Sequence, residues 1–304
     1  MQDAALSRPT DGPPACKMHP LVSKLGLGTA QFGLDSGPVR GKPPEVEARD
    51  ILALAARAGL SVFDTCAASH HGEVLLAQAM PRPMPMRVII RAARGDRGPD
   101  FVEAEARACL RRLGLPKADA IVVQSASDLF SVQGAEAWRR LAALRDEGLF
   151  ERIGVSAYAS DDPVGIARRF QPDLIQAPAS LLDQRLLVDG SLESVRAMGV
   201  EVHLRSIFLN GVLFLPPDRA PSHLKAAAGR ISRARRLIAE GRSDPLQAAL
   251  GFALSRPEAA AVLVGVSSAA EMSAVIAAAM SPPPDLDWDE MALDDPDALA
   301  WAAA

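Results

Sequence analysis

The sequence predicts a (β/α)₈ barrel. The prediction rests on an alternation of short β-branched apolar runs with longer Ala/Leu/Glu/Arg stretches of helical period, on eight such runs, and on polar residues at the end of run after run. The strand candidates are KLGLG at 24–28, SVFDT at 61–65, RVIIR at 87–91, AIVVQ at 120–124, RIGVS at 152–156, LIQ at 174–176, VEVHLR at 200–205 and AVLV at 261–264. Helix candidates lie between them at 45–58, 73–80, 100–113, 135–147, 163–170, 190–198, 224–240 and 268–279, with an extra one at 244–255. Strands that alternate with helices form a parallel sheet covered on its faces. A closed barrel brings the strand ends together on one face, where ligands bind. Those ends carry Asp64, Arg91, Gln124, Ser156, Gln176 and Arg205. The competing architecture, an open doubly wound sheet, would carry a Gly-rich turn after its first strand. Gly26, Gly28 and Gly33 do not have that spacing, and a long non-helical stretch follows them.

Length and composition agree with one large domain. The chain has 304 residues, and a barrel of this kind needs about 250. Residues 1–22 read as a polar, proline-bearing leader, 23–282 as the barrel and 283–304 as an acidic, Ala-rich tail that packs Trp288 or Trp301 on the barrel. With Lys+Arg at 33 and Asp+Glu at 37, the formal charge is −4, which argues against a nucleic-acid binder. Cys16, Cys66 and Cys109 are too few and too far apart for a disulfide framework or a metal cluster, so no metal is expected. The first residues have no apolar core of a secretory signal, and no run is long enough to span a membrane. The expectation is a cytoplasmic protein that acts on a small molecule. Its oligomeric state is left open.

The segment KLGLGTAQFGLDSG from Lys24 resembles the opening of aldo-keto reductases, most of all the bacterial branch found among polysaccharide-biosynthesis genes. The likeness continues in family order through LSVFDTCAASHHGEVLLAQAM, LFERIGVSAY, PDLIQAPASLLDQRLL, GVEVHLRSIFLNGVLF and AAVLVGVSSAAEM, and covers about 25–280. It implies the barrel reached above, and carbonyl reduction by NADPH. In such reductases a tyrosine donates a proton, a lysine paired to an aspartate lowers its pKa, and a histidine orients the carbonyl.

The resemblance puts the aspartate at Asp64, and Glu73 fixes the register of the following loop. The tyrosine position is then Ser69, the lysine position Arg91 and the histidine position Gln124. Serine is a far weaker acid than a phenol, arginine stays protonated, and glutamine does not titrate. An Asp64–Arg91 pair is expected as a structural remnant. A lost general acid costs about 10²–10⁴ in rate, so ordinary aldehyde reduction is disfavoured. His70 and His71, beside Ser69, either face solvent or supply a replacement acid and base. Tyr158, the only tyrosine, reads as a rim aromatic, and Cys66 as a small buried residue.

For the cofactor, the resemblance implies that Ser156 and Gln176 hold a nicotinamide carboxamide and that Arg205 and Ser206 lie near the pyrophosphate. It places Gly265, Ser267, Ser268 and Glu271 at the adenosine phosphate end. NADPH binders usually carry Lys or Arg there, whereas a carboxylate at Glu271 opposes a 2′-phosphate. NAD(P)H binding is therefore expected to be weak or absent. The arginines from Arg230 to Arg242 read as a solvated face, or as contacts to a phosphorylated or nucleotide-sugar ligand. Two functions remain: an oxidoreductase with a rebuilt acid/base set, acting on a sugar or nucleotide sugar, or a catalytically inert barrel that binds a nucleotide, a nucleotide sugar or a partner protein.

Overall fold

The computed structural model describes residues 21–32, 43–66, 70–80, 82, 85–214 and 227–293. Eight parallel strands pair in chain order and close into a barrel, the last on the first. They are β1 (Leu25–Gly28), β2 (Val62–Cys66), β3 (Arg87–Arg91), β4 (Ala118–Val123), β5 (Phe150–Ser156), β6 (Leu174–Pro178), β7 (Glu201–Arg205) and β8 (Ala259–Gly265). The helices are α1 (Glu45–Ala58), α2 (His70–Ala79), α3 (Pro99–Leu113), α4 (Val132–Asp146), α5 (Pro163–Phe170), α6 (Arg185–Val188), α7 (Ser191–Ala197), α8 (Ala228–Glu240), α9 (Pro245–Leu254) and α10 (Ala269–Met280). Among the described residues no helix is long and apolar enough to cross a membrane.

Strand alternation separates two cores. Residues such as Leu27, Phe63, Ile90, Ile121, Ile175 and Leu204 point outward and pack with the helices. Val62, Ile89, Ala120, Val122, Leu174, Ala261 and Leu263 point inward and fill the barrel. The helices supply the other half of the outer core. Ala48, Ile51, Leu52 and Ala55 form one face of α1, as helical spacing requires. Gly154 makes room inside the barrel: a Cβ there would lie 2.8 Å from the Leu174 carbonyl oxygen. Gly59 and Gly114 end α1 and α3 at φ of 76° and 64°, a left-handed turn that glycine takes without steric cost.

An ionic layer sits toward the N-terminal ends of the strands. Glu201 accepts hydrogen bonds from Arg87 Nη1 at 2.9 Å and from Arg152 Nη1, and its Oε1 lies 2.6 Å from His203 Nε2. Arg152 also bonds Asp119. Further contacts tie the first and last described residues to the barrel. The turn Val22–Lys24 buries Val22, and Lys24 Nζ donates to the Arg256 carbonyl at 3.1 Å. Trp288 packs edge-on against Phe252 with ring centres 5.8 Å apart, and Leu293 N donates to the Leu182 carbonyl. Trp301 lies outside the described residues.

Glu73 is fully buried, where it accepts from Cys109 Sγ at 2.9 Å and from Arg112 Nε. It therefore ties α2 to α3. Burial, and then the Glu73 charge, push the Cys109 thiol well above the usual range, so it is no nucleophile.

Candidate functional site

The mouth of the barrel is built from the last inward residues of its strands. Asp64 faces inward two residues after Val62, and Arg91 two after Ile89. Ser156 of β5 pairs in register with Gln176 of β6, which lies two residues after the inward Leu174. Arg205 closes β7 beside Pro178. Gln124 follows β4 directly and is half-buried. The strand-end residues expected to converge do converge.

Asp64 holds the group together. It is 2 % exposed, and both of its carboxylate oxygens are engaged. Oδ1 accepts from Arg91 Nε at 3.0 Å, and Oδ2 accepts from Gln176 Nε2 at 2.6 Å. Its main-chain oxygen accepts from the amide and hydroxyl of Thr29. The pair with Arg91 matches expectation. The bond to Gln176 crosses the barrel between residues 112 positions apart, and nothing in the sequence signals it. Donating its amide nitrogen leaves Gln176 with a buried Oε1 that has no hydrogen-bond partner among the described residues.

Arg205 was expected near a pyrophosphate approached by main chain. In the structure its side chain is itself part of the mouth. The guanidinium stacks on the Tyr158 ring, with Cζ 4.3 Å from the centroid, and Nη1 donates to Ser206 Oγ at 3.3 Å. Burial lowers its pKa, Tyr158 and Asp64 oppose that, and the nearby Arg91 charge adds to it. A guanidinium stays protonated at neutral pH all the same. Tyr158 is therefore more than a rim aromatic, because its exposed ring forms one wall under a buried cation. Ser206 is exposed at φ of 60°, a conformation disfavoured for a side-chain-bearing residue, and Leu209 follows at 49°. The exit from β7 is thus a constrained turn.

Ser69 lies outside the described residues. His70 and His71 form the first turn of α2, and nothing is described of their side chains or of the Cys66 side chain.

Gly265 ends β8, and the loop after it carries Ser267 and Ser268 to the N-terminus of α10. There three of the amide groups that could meet a phosphate are already bonded. Ser267 N and Oγ donate to Glu271 Oε2 at 2.8 and 3.1 Å, and Glu271 N donates to Ser268 Oγ. Ala269 N donates to Glu47 Oε2 at 2.7 Å. Glu47 comes from the first turn of α1 and was not foreseen, since only closure of the barrel brings α1 beside α10. Next to this carboxylate pair lies a nearly apolar cavity of about 180 Å³ lined by Phe208, Phe214, Leu246, Val266 and Glu271.

A nicotinamide nucleotide fits this donor set at one end only. Gln176 Oε1, with no hydrogen-bond partner among the described residues, is an acceptor suited to a carboxamide NH₂, and Ser156 pairs with Gln176 in strand register. At the other end two carboxylates occupy the helix start, where a 2′-phosphate would need cations. Among the described residues no cluster could hold a metal ion. The arginines of α8 stand on its outer side, where Arg233 pairs with Glu290 and Arg236 with Glu240, while Ile231, Ala234 and Ile238 are buried.

A closed parallel barrel with a polar cluster at the C-terminal strand ends is the plan of TIM-barrel enzymes. Within that class, the chain belongs to the aldo/keto reductase family, whose sequence model matches residues 24–292. It is an oxidoreductase by descent. Solved structures share the fold. The aldo-keto reductase AKR11C1 from Bacillus halodurans, in its holo form, superimposes with a TM-score of 0.71 at 20% identity, over 89% of this chain and 90% of that one. A putative aldo-keto reductase from Pseudomonas aeruginosa gives 0.64 at 20% identity, over 85% and 90%. Among curated protein sequences, none matches this chain.

Proposed function

We propose that this protein is a reductase-descended barrel that binds a small polar ligand at its mouth and has lost ordinary NADPH-dependent carbonyl reduction. The observation that carries the reading is Asp64, whose two oxygens are taken by Arg91 and Gln176. A reductase of this family needs a phenol made acidic by a lysine next to that aspartate. At the corresponding positions this chain has Ser69 and Arg91, with Gln124 in place of the histidine. Neither guanidinium nor amide passes a proton to a developing alkoxide at neutral pH. The set is thus degenerate as a proton donor and intact as a ring of hydrogen-bond donors. The likeness to the polysaccharide-biosynthesis branch suggests a sugar or nucleotide sugar as the ligand.

One observation favours a second reading, an NADH-linked oxidoreductase with a rebuilt acid. Ser156 and the unused Gln176 Oε1 are suited to a nicotinamide carboxamide. Calorimetric titration of the full chain with NADH, NADPH and a uridine diphosphate sugar separates the readings. Binding of the sugar nucleotide without aldehyde turnover supports the first. NADH binding with steady turnover of a sugar aldehyde overturns it.

The carboxylates at α10 lead to a further expectation. NADPH binds no tighter than NADH, because its 2′-phosphate meets Glu47 and Glu271 without a side-chain cation beside them among the described residues. A missing charge-assisted bond costs about 1.5–3 kcal/mol, roughly ten- to a hundredfold in affinity. The double variant Glu47→Gln, Glu271→Arg should shift the preference toward NADPH by that factor. Fluorescence titration of the reduced nucleotides measures it. A strong NADPH preference in the unaltered protein would refute the assignment.

A further inference from the structure

Arg205 differs from the other inward arginines. Arg87 and Arg152 pair with Glu201, and Arg91 with Asp64. Arg205 is 8 % exposed, yet its Nε and Nη2 are buried without a hydrogen-bond partner among the described residues. Those two atoms are not arbitrary. They form one edge of the guanidinium fork, the edge that grips two oxygens of a carboxylate or phosphate in parallel. The same chain shows that edge filled elsewhere: Arg185 Nε and Nη2 donate to the two oxygens of Asp183 at 2.9 Å each.

The surroundings hold the empty edge in place. Tyr158 supports one face of the guanidinium and Ser206 takes Nη1, which fixes the plane of the fork. Asp64, the buried carboxylate of the mouth among the described residues, already serves Arg91 and Gln176. Asp64, Arg91 and Arg205 together carry a formal charge of +1. A desolvated cation with unmet donors is unfavourable unless something answers it. The nearby Gln176 Oε1 has the opposite need, a donor. From these atoms we infer that the Nε–Nη2 edge of Arg205 binds the oxyanion of a small ligand, a carboxylate or a phosphate, at the barrel mouth. A hydroxyl next to that oxyanion would serve Gln176 Oε1, so a hydroxy acid, a sugar acid or a sugar phosphate suits both atoms.

This deepens the binding reading above by naming the ligand's chemistry. Its test uses no nicotinamide nucleotide, so failure of a cofactor titration and failure of this proposal are separate results. The full chain, Arg205→Met and Arg205→Lys are compared at matched ionic strength with D-glucuronate, L-lactate, inorganic phosphate and neutral D-glucose. Thermal denaturation and calorimetry are the readouts. Glucuronate, lactate or phosphate should raise the melting temperature of the unaltered protein, and glucose should not. Response to glucuronate or lactate alone identifies a carboxylate, and response to phosphate a phosphoryl group. Arg205→Met should bind the effective anion at least tenfold more weakly. Without anion it should melt no lower than the parent, because it removes buried donors that no described residue satisfies. Arg205→Lys keeps the charge and loses the fork, and should also bind at least tenfold more weakly. The proposal is overturned if no anion shifts the parent, if Arg205→Met binds as the parent does, or if Arg205→Met melts lower without anion, which would make Arg205 a structural residue.

Discussion

Mixed with NADPH and a simple aldehyde at neutral pH, the purified protein is expected to turn over some 10²–10⁴-fold below the ~10 s⁻¹ typical of enzymes. The factor is the cost of losing the general acid. Its physical origin is the position of charge. As hydride reaches carbon, the carbonyl oxygen becomes an alkoxide that must take a proton from a neighbouring group. Asp64 cannot give one while it is the shared acceptor of Arg91 and Gln176. Arg91 can stabilise the oxygen electrostatically and still cannot protonate it. The triple change Ser69→Tyr, Arg91→Lys, Gln124→His restores the family's proton donor, its activator and the orienting imidazole, and should raise aldehyde turnover by about the same factor. The comparison is made by steady-state kinetics on variants whose circular dichroism matches the parent. No gain in a folded triple variant would mean that the cofactor end of the site limits the reaction, as the carboxylates at α10 suggest. Parental turnover on the order of 1 s⁻¹ or more would show that another residue supplies the proton.

The barrel was legible in the sequence because its signals are local. RVIIR reads as a strand to the residue, since its inward Arg87, Ile89 and Arg91 alternate with outward Val88 and Ile90. Helix α1 was equally plain from its one-sided apolar face. Four strands run longer than their patterns: β4 begins at Ala118, β5 at Phe150 and β8 at Ala259, and β6 runs on to Pro178, because ladder pairing with neighbours extends a strand past its apolar alternation. Helix α2 begins three residues early, at His70, where the sequence offers no apolar period. Helix α6, at four residues, is too short for any period to show.

Which residues stand at the mouth was legible too, since strand ends in a barrel share a face. What each does there was not. Arg205 and Glu271 were both placed by their positions along the chain. The first turned out to present a guanidinium edge, Nε and Nη2, with no hydrogen-bond partner among the described residues, and the second to fold back on Ser267. Such outcomes depend on contacts between distant elements, such as Gln176 with Asp64 or Glu47 with Ala269, which no spacing encodes.

The largest effect on stability is expected at the opposite end, from Glu201→Gln. Glu201 answers Arg87, Arg152 and His203 at once. His203 is fully buried, Arg152 has 20% of its side chain exposed, and Arg87 36%. Removing one partner from a buried ionic group costs about 3–5 kcal/mol, because the others stay desolvated and unanswered. Asp119 still holds Arg152 and water reaches Arg87, so about 3 kcal/mol is expected, a fall in melting temperature of roughly 5 °C. The effect should depend on pH. Burial alone would raise the Glu201 pKa, but the hydrogen bond and charge of His203 and the charges of Arg87 and Arg152 outweigh it and hold the group below its ordinary 4.5. A depressed carboxylate stabilises the fold above its unfolded pKa and loses that contribution as pH falls toward the folded value. The gap between parent and variant should therefore be full at pH 7 and shrink below pH 4.5 by up to about 1.4 kcal/mol per pH unit. Urea denaturation at pH 7 and near pH 3.5 measures it. An equal gap at both values would show that the Glu201 charge is not what holds this end of the barrel. No gap at pH 7 would show that Arg87, Arg152 and His203 are held as well without the Glu201 charge.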